Sequence, residues 1–301
     1  MMNLNLLKLQ IVELLEKHHK ITTVADLLGL KQPTVTFHMK NLERDFGVKL
    51  FDARMGRIIL TDAGHALLHY ATKINALAAE AQRVVNDFDT LRQGTLSIGA
   101  SYVPATYILP AILDSFTKSY PGISISLSVK TAPAVTQMLH SHEIDVGLIS
   151  TGPFRHATLN AQALCKDELV LVCSPAHPFA EAAEWTPELI AASSFVLHGK
   201  ASSTRRITDQ WLEQRGISPF SRLELDSLET IKQAVMLGEH ISFISRMAVQ
   251  SEVNRGLLQM WPIPGLPAER QIYAITNQDR YMSATSSGFI ELLDQWRQSF
   301  Q

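Results

Sequence analysis

An α/β chain with an all-α head is what this sequence predicts, on three observations. Through residues 1 to 61 most apolar positions recur at helical spacings. Residues 62 to 92 carry one long apolar stripe at spacings of three and four. From Gly94 onward, short apolar or alternating runs that read as strands are separated by helical runs. At 301 residues, 46% hydrophobic and 19% charged, the composition is that of a folded chain long enough for more than one domain.

The first element is an amphipathic helix within Met1 to Lys20, where Leu4, Leu7, Ile11 and Leu15 share a face opposed by Lys8, Glu13 and Glu16. Those charges exclude a signal peptide. A second helix is expected to start at Thr22 or Thr23, with Asp26 imitating a capping box, and to stop near Gly29. Pro33 then suits the first turn of a third helix, where its missing N–H is not needed. In that helix Val35, Met39, Leu42 and Phe46 line up as a buried face. Gln32, Thr34, Thr36, Phe37, His38, Lys40 and Asn41 remain on the outside. Two short helices around a tight turn, presenting short polar groups and an amide near an N-terminus, suit the reading of base edges in a major groove. An ordinary helical hairpin is the plain alternative.

The next residues bear on that choice. Asp52 to Thr61 read as a basic turn with Gly56 at its tip and Arg54 and Arg57 on either side, leading into an apolar run. That is the wing of a winged helix-turn-helix, which offers cations to phosphates beside the groove.

Thr61 can cap the long helix of residues 62 to 92. Leu67, Ala71, Ile74, Ala78, Ala81, Val85 and Phe88 form one stripe, and Tyr70, Ile74, Leu77, Ala81, Val84, Phe88 and Leu91 a second. A helix this apolar needs partners on both sides. It either packs on its own domain or pairs two chains, and pairing is the preferred reading because nothing else in the first ninety residues is large enough to cover it. Two heads on a twofold axis would read an inverted repeat.

After Gln93-Gly94 the expected elements are a strand at Thr95 to Gly99, a helix at Ile108 to Tyr120 with Pro110 in its first turn, and an alternating strand at Ile123 to Val129 with one buried face. There follow a helix at Pro133 to His142, a strand at Ile144 to Ser150 and a strand pair within Leu164 to Ser174. Further strands are expected at Phe195 to Leu197, Ile241 to Ser245 and Gln271 to Thr276, and further helices at Thr204 to Gln214, Leu228 to Leu237 and Ser286 to Phe300. Strands separated by helices imply parallel sheets, and a segment of this length is better divided into two lobes with crossings near residues 166 and 268. The domains are thus 1–61, 62–93 and 94–301, with lobe 1 at 94–166 and 268–301 and lobe 2 at 167–267.

In such folds ligands sit at strand C-termini and helix N-termini, where free N–H groups favour an anion. Ser101 and Tyr102, Thr131, and Ser202, Ser203 and Thr204 hold such positions. Each hydroxyl could simply cap a helix; their convergence on one cleft is the sharper expectation. His198, beside Gly199, either faces that cleft or is a structural histidine.

The net charge of −2 argues against binding by raw electrostatics. Residues 1 to 93 carry 12 basic and 10 acidic side chains, leaving 15 basic and 19 acidic in residues 94 to 301. So weak an asymmetry calls for specific groove contacts and more than one head. Cys165 and Cys173 are read as buried free thiols, a redox switch being the lesser alternative. There is no phosphate loop, dinucleotide fingerprint or nucleophile elbow. His140-Ser141-His142-Glu143 lacks zinc-site spacing and reads as an exposed helix end. No catalytic residue, metal or cofactor is expected, and no apolar run is long enough to span a membrane.

The stretch from Asn3 to Gln93 resembles the DNA-binding region of the LysR-type transcriptional regulators, on Ala25, Leu28, Gln32-Pro33, Thr36, Leu42-Glu43, Leu50-Phe51, Arg54, Gly56-Arg57, Leu60-Thr61 and Ala63-Gly64. Two positions depart from the family: Lys31 stands where a capping Ser is common, and Phe37 where a polar residue is frequent. Phe37 either touches a thymine methyl or packs against the wing or a neighbouring helix, packing being slightly preferred. The remainder resembles the family's effector domain more weakly, on Gly94 to Ser101, Leu109-Pro110, Asp145, Asp167-Glu168-Leu169, Ser202 to Arg205, Leu237-Gly238 and Ile241 to Arg246. The resemblance implies a two-lobed α/β domain similar to periplasmic binding proteins, a small-molecule effector between the lobes, homodimers or homotetramers, and RNA polymerase as a partner. The expectation is therefore a cytoplasmic, ligand-responsive regulator binding double-stranded DNA through Gln32, Pro33, Thr34, Thr36, Phe37 and Lys40, with Arg54 and Arg57 on phosphates. The rival is a ligand-binding α/β protein or enzyme with an accessory winged helix.

Overall fold

The computed structural model describes residues 4–54, 56–86, 94–181, 186–263, 265–266 and 269–299. Two compact units make up the chain, Met1–Asp89 with His140–Glu143, and Thr90–Leu139 with Ile144–Gln301.

The first unit begins with α1 (Leu6–His18), whose N-cap Asn5 accepts the Lys8 amide at 3.0 Å. Its buried residues are Lys8, Leu9, Ile11, Val12 and Leu15; of the expected row Leu4 and Leu7 are only half covered, and Lys8, expected on the opposite face, is buried with its Nζ 2.8 Å from Asp45 Oδ2. His19, at φ 57°, turns the chain into α2 (Ile21–Leu27). That helix starts ahead of the expected threonine cap: its N-cap is Lys20, which makes no side-chain capping bond, and Val24 and Ala25 are the residues it buries. Gly29, at φ +64°, opens the turn to α3 (Gln32–Phe46), which carries Pro33 in its first turn and ends on Gly47 at φ +71°. Val35, Met39 and Leu42 are buried as expected. Phe46 is instead exposed, the core being closed by Leu50, Phe51 and Leu60.

Strands β1 (Phe51–Arg54) and β2 (Arg57–Leu60) pair antiparallel from Phe51 with Leu60 to Arg54 with Arg57. Glu43 fixes this hairpin to α3, its Oε1 accepting the amides of Leu50 at 3.0 Å and Phe51 at 3.2 Å. Helix α4 (Asp62–Asn86) follows with the expected cap: Thr61 Oγ1 accepts the Gly64 amide at 3.1 Å and donates to the Lys49 carbonyl at 2.8 Å. Gly64 allows the helix to lie against the hairpin, since a methyl there would strike the Leu50 carbonyl. Along α4, Ala71 is buried, whereas Tyr70, Ile74, Leu77, Ala81 and Val85 are exposed. The expected continuation of the stripes through Phe88 and Leu91 lies outside the described residues.

The second unit holds two five-stranded sheets. The first has the order β4-β3-β5-β12-β6, from β3 (Gly94–Ala100), β4 (Ile123–Val129), β5 (Val146–Thr151), β6 (Leu159–Lys166) and β12 (Gln271–Asn277). Around it lie α5 (Tyr102–Tyr107), α6 (Leu109–Ser119), α7 (Ala132–His140) and α12 (Ala284–Ser299). The second has the order β11-β7-β10-β8-β9, from β7 (Leu169–Cys173), β8 (Ser194–His198), β9 (Ser221–Leu225), β10 (His240–Ser245) and β11 (Gln259–Pro262). Its helices are α8 (Pro187–Ala192), α9 (Ser203–Gln214), α10 (Leu228–Met236) and α11 (Arg246–Asn254).

Three expectations need correction. The sheets are mixed, not parallel: β12 runs antiparallel to β5 and β6, and β7 runs antiparallel to β10 and β11. A chain that crosses to the second lobe in extended form arrives there in the reversed direction, with no crossover helix to restore it. The strands within Leu164 to Ser174 are therefore not a pair but members of different sheets. On the edge strand β4 the alternation is real, yet Leu127 and Val129 remain exposed.

Candidate functional site

In the first unit, α3 and the hairpin present the residues expected on DNA. Gln32, Pro33, Phe37 and Lys40 are exposed, and Thr34 and Thr36 half-exposed. Phe37 is 60% exposed and touches the His38 ring edge-on, with 5.8 Å between centroids. The preferred expectation that it packs on the wing or a neighbouring helix is thus wrong: at its place on α3 the side chain points away from the Val35–Met39–Leu42 face. Thr36 Oγ1 donates to the Gln32 carbonyl at 3.2 Å, a back-bond that leaves its lone pairs free to accept. Lys31 makes no side-chain cap, but its carbonyl accepts the amides of Thr34 at 2.9 Å and Val35 at 3.3 Å, and Pro33 has no N–H to satisfy. At the hairpin, Arg54 and Arg57 are exposed on either side of the tip, where Gly56 at φ +74° makes the turn. Among the described residues, the one ion pair of Arg54 is a 4.0 Å contact with Asp52.

In the second unit, Ser101, Tyr102, Thr131, Ser202, Ser203 and Thr204 all line one cavity of about 300 Å³. They come from the C-terminal edge of β3 and the entrances of α5, α7 and α9. Not all are free. Ser101 Oγ accepts the Ser150 amide at 2.9 Å, Ser202 caps α9 through the Thr204 amide at 3.2 Å, and Ser203 Oγ donates to the Ser150 carbonyl at 2.8 Å across the lobes. The Thr131 hydroxyl has no partner among the described residues.

Sequence reasoning missed the group at the base of this cavity. Arg270 is buried at the return crossing, its carbonyl accepting the amide of Asp167 on the outward crossing at 3.1 Å. Its Nε lies 2.8 Å from Ser150 Oγ and 3.0 Å from Asp167 Oδ2, and Nη1 donates to Thr204 Oγ1 at 2.8 Å. Asp167, fully buried, also accepts from the hydroxyls of Ser150 and Ser245. Burial presses the Arg270 pKa down, opposed by Asp167. A lone Arg before a strand gives no sequence signal; its meaning depends on the two crossings being neighbours.

His198 also lines the cavity, and both readings of it hold: its Nε2 is 3.0 Å from the Phe243 carbonyl. Burial pulls its pKa down to about 4, against the Phe243 hydrogen bond and helped by Arg270 and Arg205. It is neutral at pH 7 and donates from Nε2. Cys173 is buried as expected, but Cys165 is only partly so; burial raises their pKa values to about 12 and about 11. The 140–143 segment is not an exposed end, since Ser141 is buried and both histidines are half covered. Among the described residues no cluster of three or more His, Cys, Asp or Glu could hold a metal ion, and no helix is long and apolar enough to cross a membrane.

Two family models cover most of the chain. Residues 6–65 match the bacterial regulatory helix-turn-helix protein, lysR family, and residues 89–298 match the LysR substrate binding domain. The chain belongs to the LysR family. It is a DNA-binding transcriptional regulator with an effector-binding domain. Among LysR relatives, a probable RuBisCO transcriptional regulator of Synechocystis sp. is 32% identical over 96% of this chain and 86% of its own length, and that of Cyanidioschyzon merolae 33% over 89% and 90%. The fold is that of CbnR, a LysR family transcriptional regulator, at TM-score 0.71 and 20% identity over 98% of this chain and 99% of that one. The regulatory domain of Synechocystis PCC6803 CcmR, solved in complex with 2-PG, matches at TM-score 0.61 and 28% identity over 67% of this chain and 96% of that one.

Proposed function

We propose that this regulator senses a small anion in the 300 Å³ cleft and reads an inverted-repeat site with paired heads. The observation that carries the first half is the convergence of hydroxyls from three separate segments on one cavity floored by a buried arginine. Ser101, Thr131, Ser202 and Thr204 can donate to a carboxylate or phosphate, Ser203 doing so only by giving up its bond to the Ser150 carbonyl, and the entrances of α7 and α9 point free amides the same way. Asp167 fixes Arg270 without using all its donors. The complex of CcmR with 2-PG, an anionic effector, supports an anion here. No cofactor is needed for such sensing.

On DNA, Gln32, Thr34 and Thr36 read base edges, Phe37 meets a thymine methyl, Pro33 and Lys40 line the same approach, and Arg54 and Arg57 hold phosphates. Pairing runs through the exposed Tyr70, Ile74, Leu77 and Val85 stripe of α4, giving a homodimer or homotetramer. RNA polymerase is the expected further partner and the cytoplasm the expected location. Effector binding alters the angle between lobes and thereby the spacing of the heads.

Isothermal titration of the full chain with inorganic phosphate, simple phosphomonoesters and small carboxylates tests the cleft. At least one should bind, and Thr131→Val should weaken it about tenfold, the worth of a hydrogen bond to a charged group. Binding that ignores Thr131→Val would place the anion elsewhere.

A further inference from the structure

We infer that Asp226 dictates the far end of the effector: besides its acid group the ligand carries a hydrogen-bond donor, a hydroxyl or an ammonium, which this carboxylate accepts. The inference rests on reading the cleft as an anion site.

Strand register carries the argument. In the second sheet β8 lies between β10 and β9, parallel to both, with Ser194 opposite His240 on one side and Ser221 on the other. Continuing both registers to the strand ends sets Gly199 between Ser245 and Asp226. All three line the cavity. Ser245 and Asp226 therefore stand on opposite sides of Gly199 along its rim. The Ser245 side is the cationic side, because its hydroxyl donates to Asp167, which holds Arg270. Asp226 lies two strands away, its carboxylate folded over Gly199 so closely that a methyl on Gly199 would collide with Oδ1.

This carboxylate is exposed at the cavity rim and has no protein partner among the described residues, so a ligand donor there would take the place of water. The neutral His198 offers it no counter-charge, and the nearby Arg205 is engaged by Asp209 and Glu224 at 2.8 Å each. An anion filling the whole cavity would be repelled there. A ligand with its acid group at Arg270 and a donor at the other end would satisfy both. Hydroxy acids, sugar phosphates and amino acids have that form; acids with an apolar remainder do not.

Calorimetric titration of the full chain with n-propyl phosphate, glycerol 3-phosphate and 3-aminopropyl phosphate tests it. At least one of the two donor-bearing probes should bind about tenfold more tightly than n-propyl phosphate. Asp226→Ala should abolish that preference. Asp226→Asn separates the sources, since an amide still accepts from a hydroxyl but loses its attraction for an ammonium. Equal binding of all three by the native chain, or a preference that survives Asp226→Ala, overturns the inference and leaves the anion site standing. If none of the three phosphates binds and the matching carboxylates butyrate, 3-hydroxybutyrate and 4-aminobutyrate fail as well, the anion reading of the cleft fails and the inference with it.

Discussion

Single residues in this regulator are tuned by where the backbone puts them. His198 is the clearest case. Its pKa falls from an ordinary 6.5 to about 4, chiefly because it is buried. Protonation therefore favours the unfolded chain, which binds the proton more readily, so the stability from the neutral imidazole is complete above pH 6.5 and is lost as pH falls from 6.5 through 4. Thermal melts over that range should show a decline worth roughly 3 kcal/mol, and His198→Gln should flatten this part of the profile. An unchanged profile in the variant would assign the decline to other groups. On α3, Gln32→Ala should cost about 1–3 kcal/mol on the specific site and almost nothing on random DNA, as competition binding would show. Equal losses on both would remove Gln32 from base reading. The sequence already placed Gln32 outside and Val35, Met39 and Leu42 inside, because helical periodicity is local. It placed Phe37 outside but expected a neighbour to cover it, and it misplaced Phe46, because an aromatic ring satisfies a hydrophobic pattern whether or not a neighbour exists to cover it. Arg270 and Asp226 were invisible for a related reason: each gains its role from strands distant in sequence.

Among the elements, the hairpin and α3 act as one device through Glu43, whose carboxylate takes two amides at the start of the hairpin. Arg57→Ala should weaken specific and random DNA alike and lower the salt dependence by about one phosphate contact. A loss confined to the specific site would mean that Arg57 reads bases. Helix α4 leaves Tyr70, Ile74, Leu77 and Val85 exposed in one chain. Leu77→Asp should lower the assembled mass in light scattering and sharply weaken binding to an inverted repeat; an unchanged mass would move the pairing surface elsewhere. The long helices and apolar strands were legible from spacing alone. The elements that escaped were the short α5, α8 and α11, of six to nine residues, the four-residue β11, and β9, whose residues are exposed or half-exposed and so carry no alternation to detect. The direction of β7 and β12 was also hidden, since periodicity records which face is buried and not which way a strand runs.

For the whole molecule, near-neutral charge and a mixed two-lobed domain lead to the same account. With only a small excess of basic side chains in residues 1 to 93, raw electrostatics is a weak source of DNA affinity, and the proposed function therefore has occupancy depend on two heads and on their spacing. The crossings at Asp167 and Arg270 are where the lobes meet, and Ser150, Ser203, Thr204 and Ser245 join them there by hydrogen bonds that an anion in the cavity would rearrange. A shift in lobe angle of a few degrees is enough to favour one spacing when two arrangements differ by only a few kcal/mol. The direct test is a nuclease footprint of the full chain on operator DNA selected from a random pool, with and without the phosphate or carboxylate that binds most tightly. The protected length or its phasing should change on adding the anion, and the change should disappear in Thr131→Val at the same anion concentration. Identical footprints with and without the bound anion would contradict it.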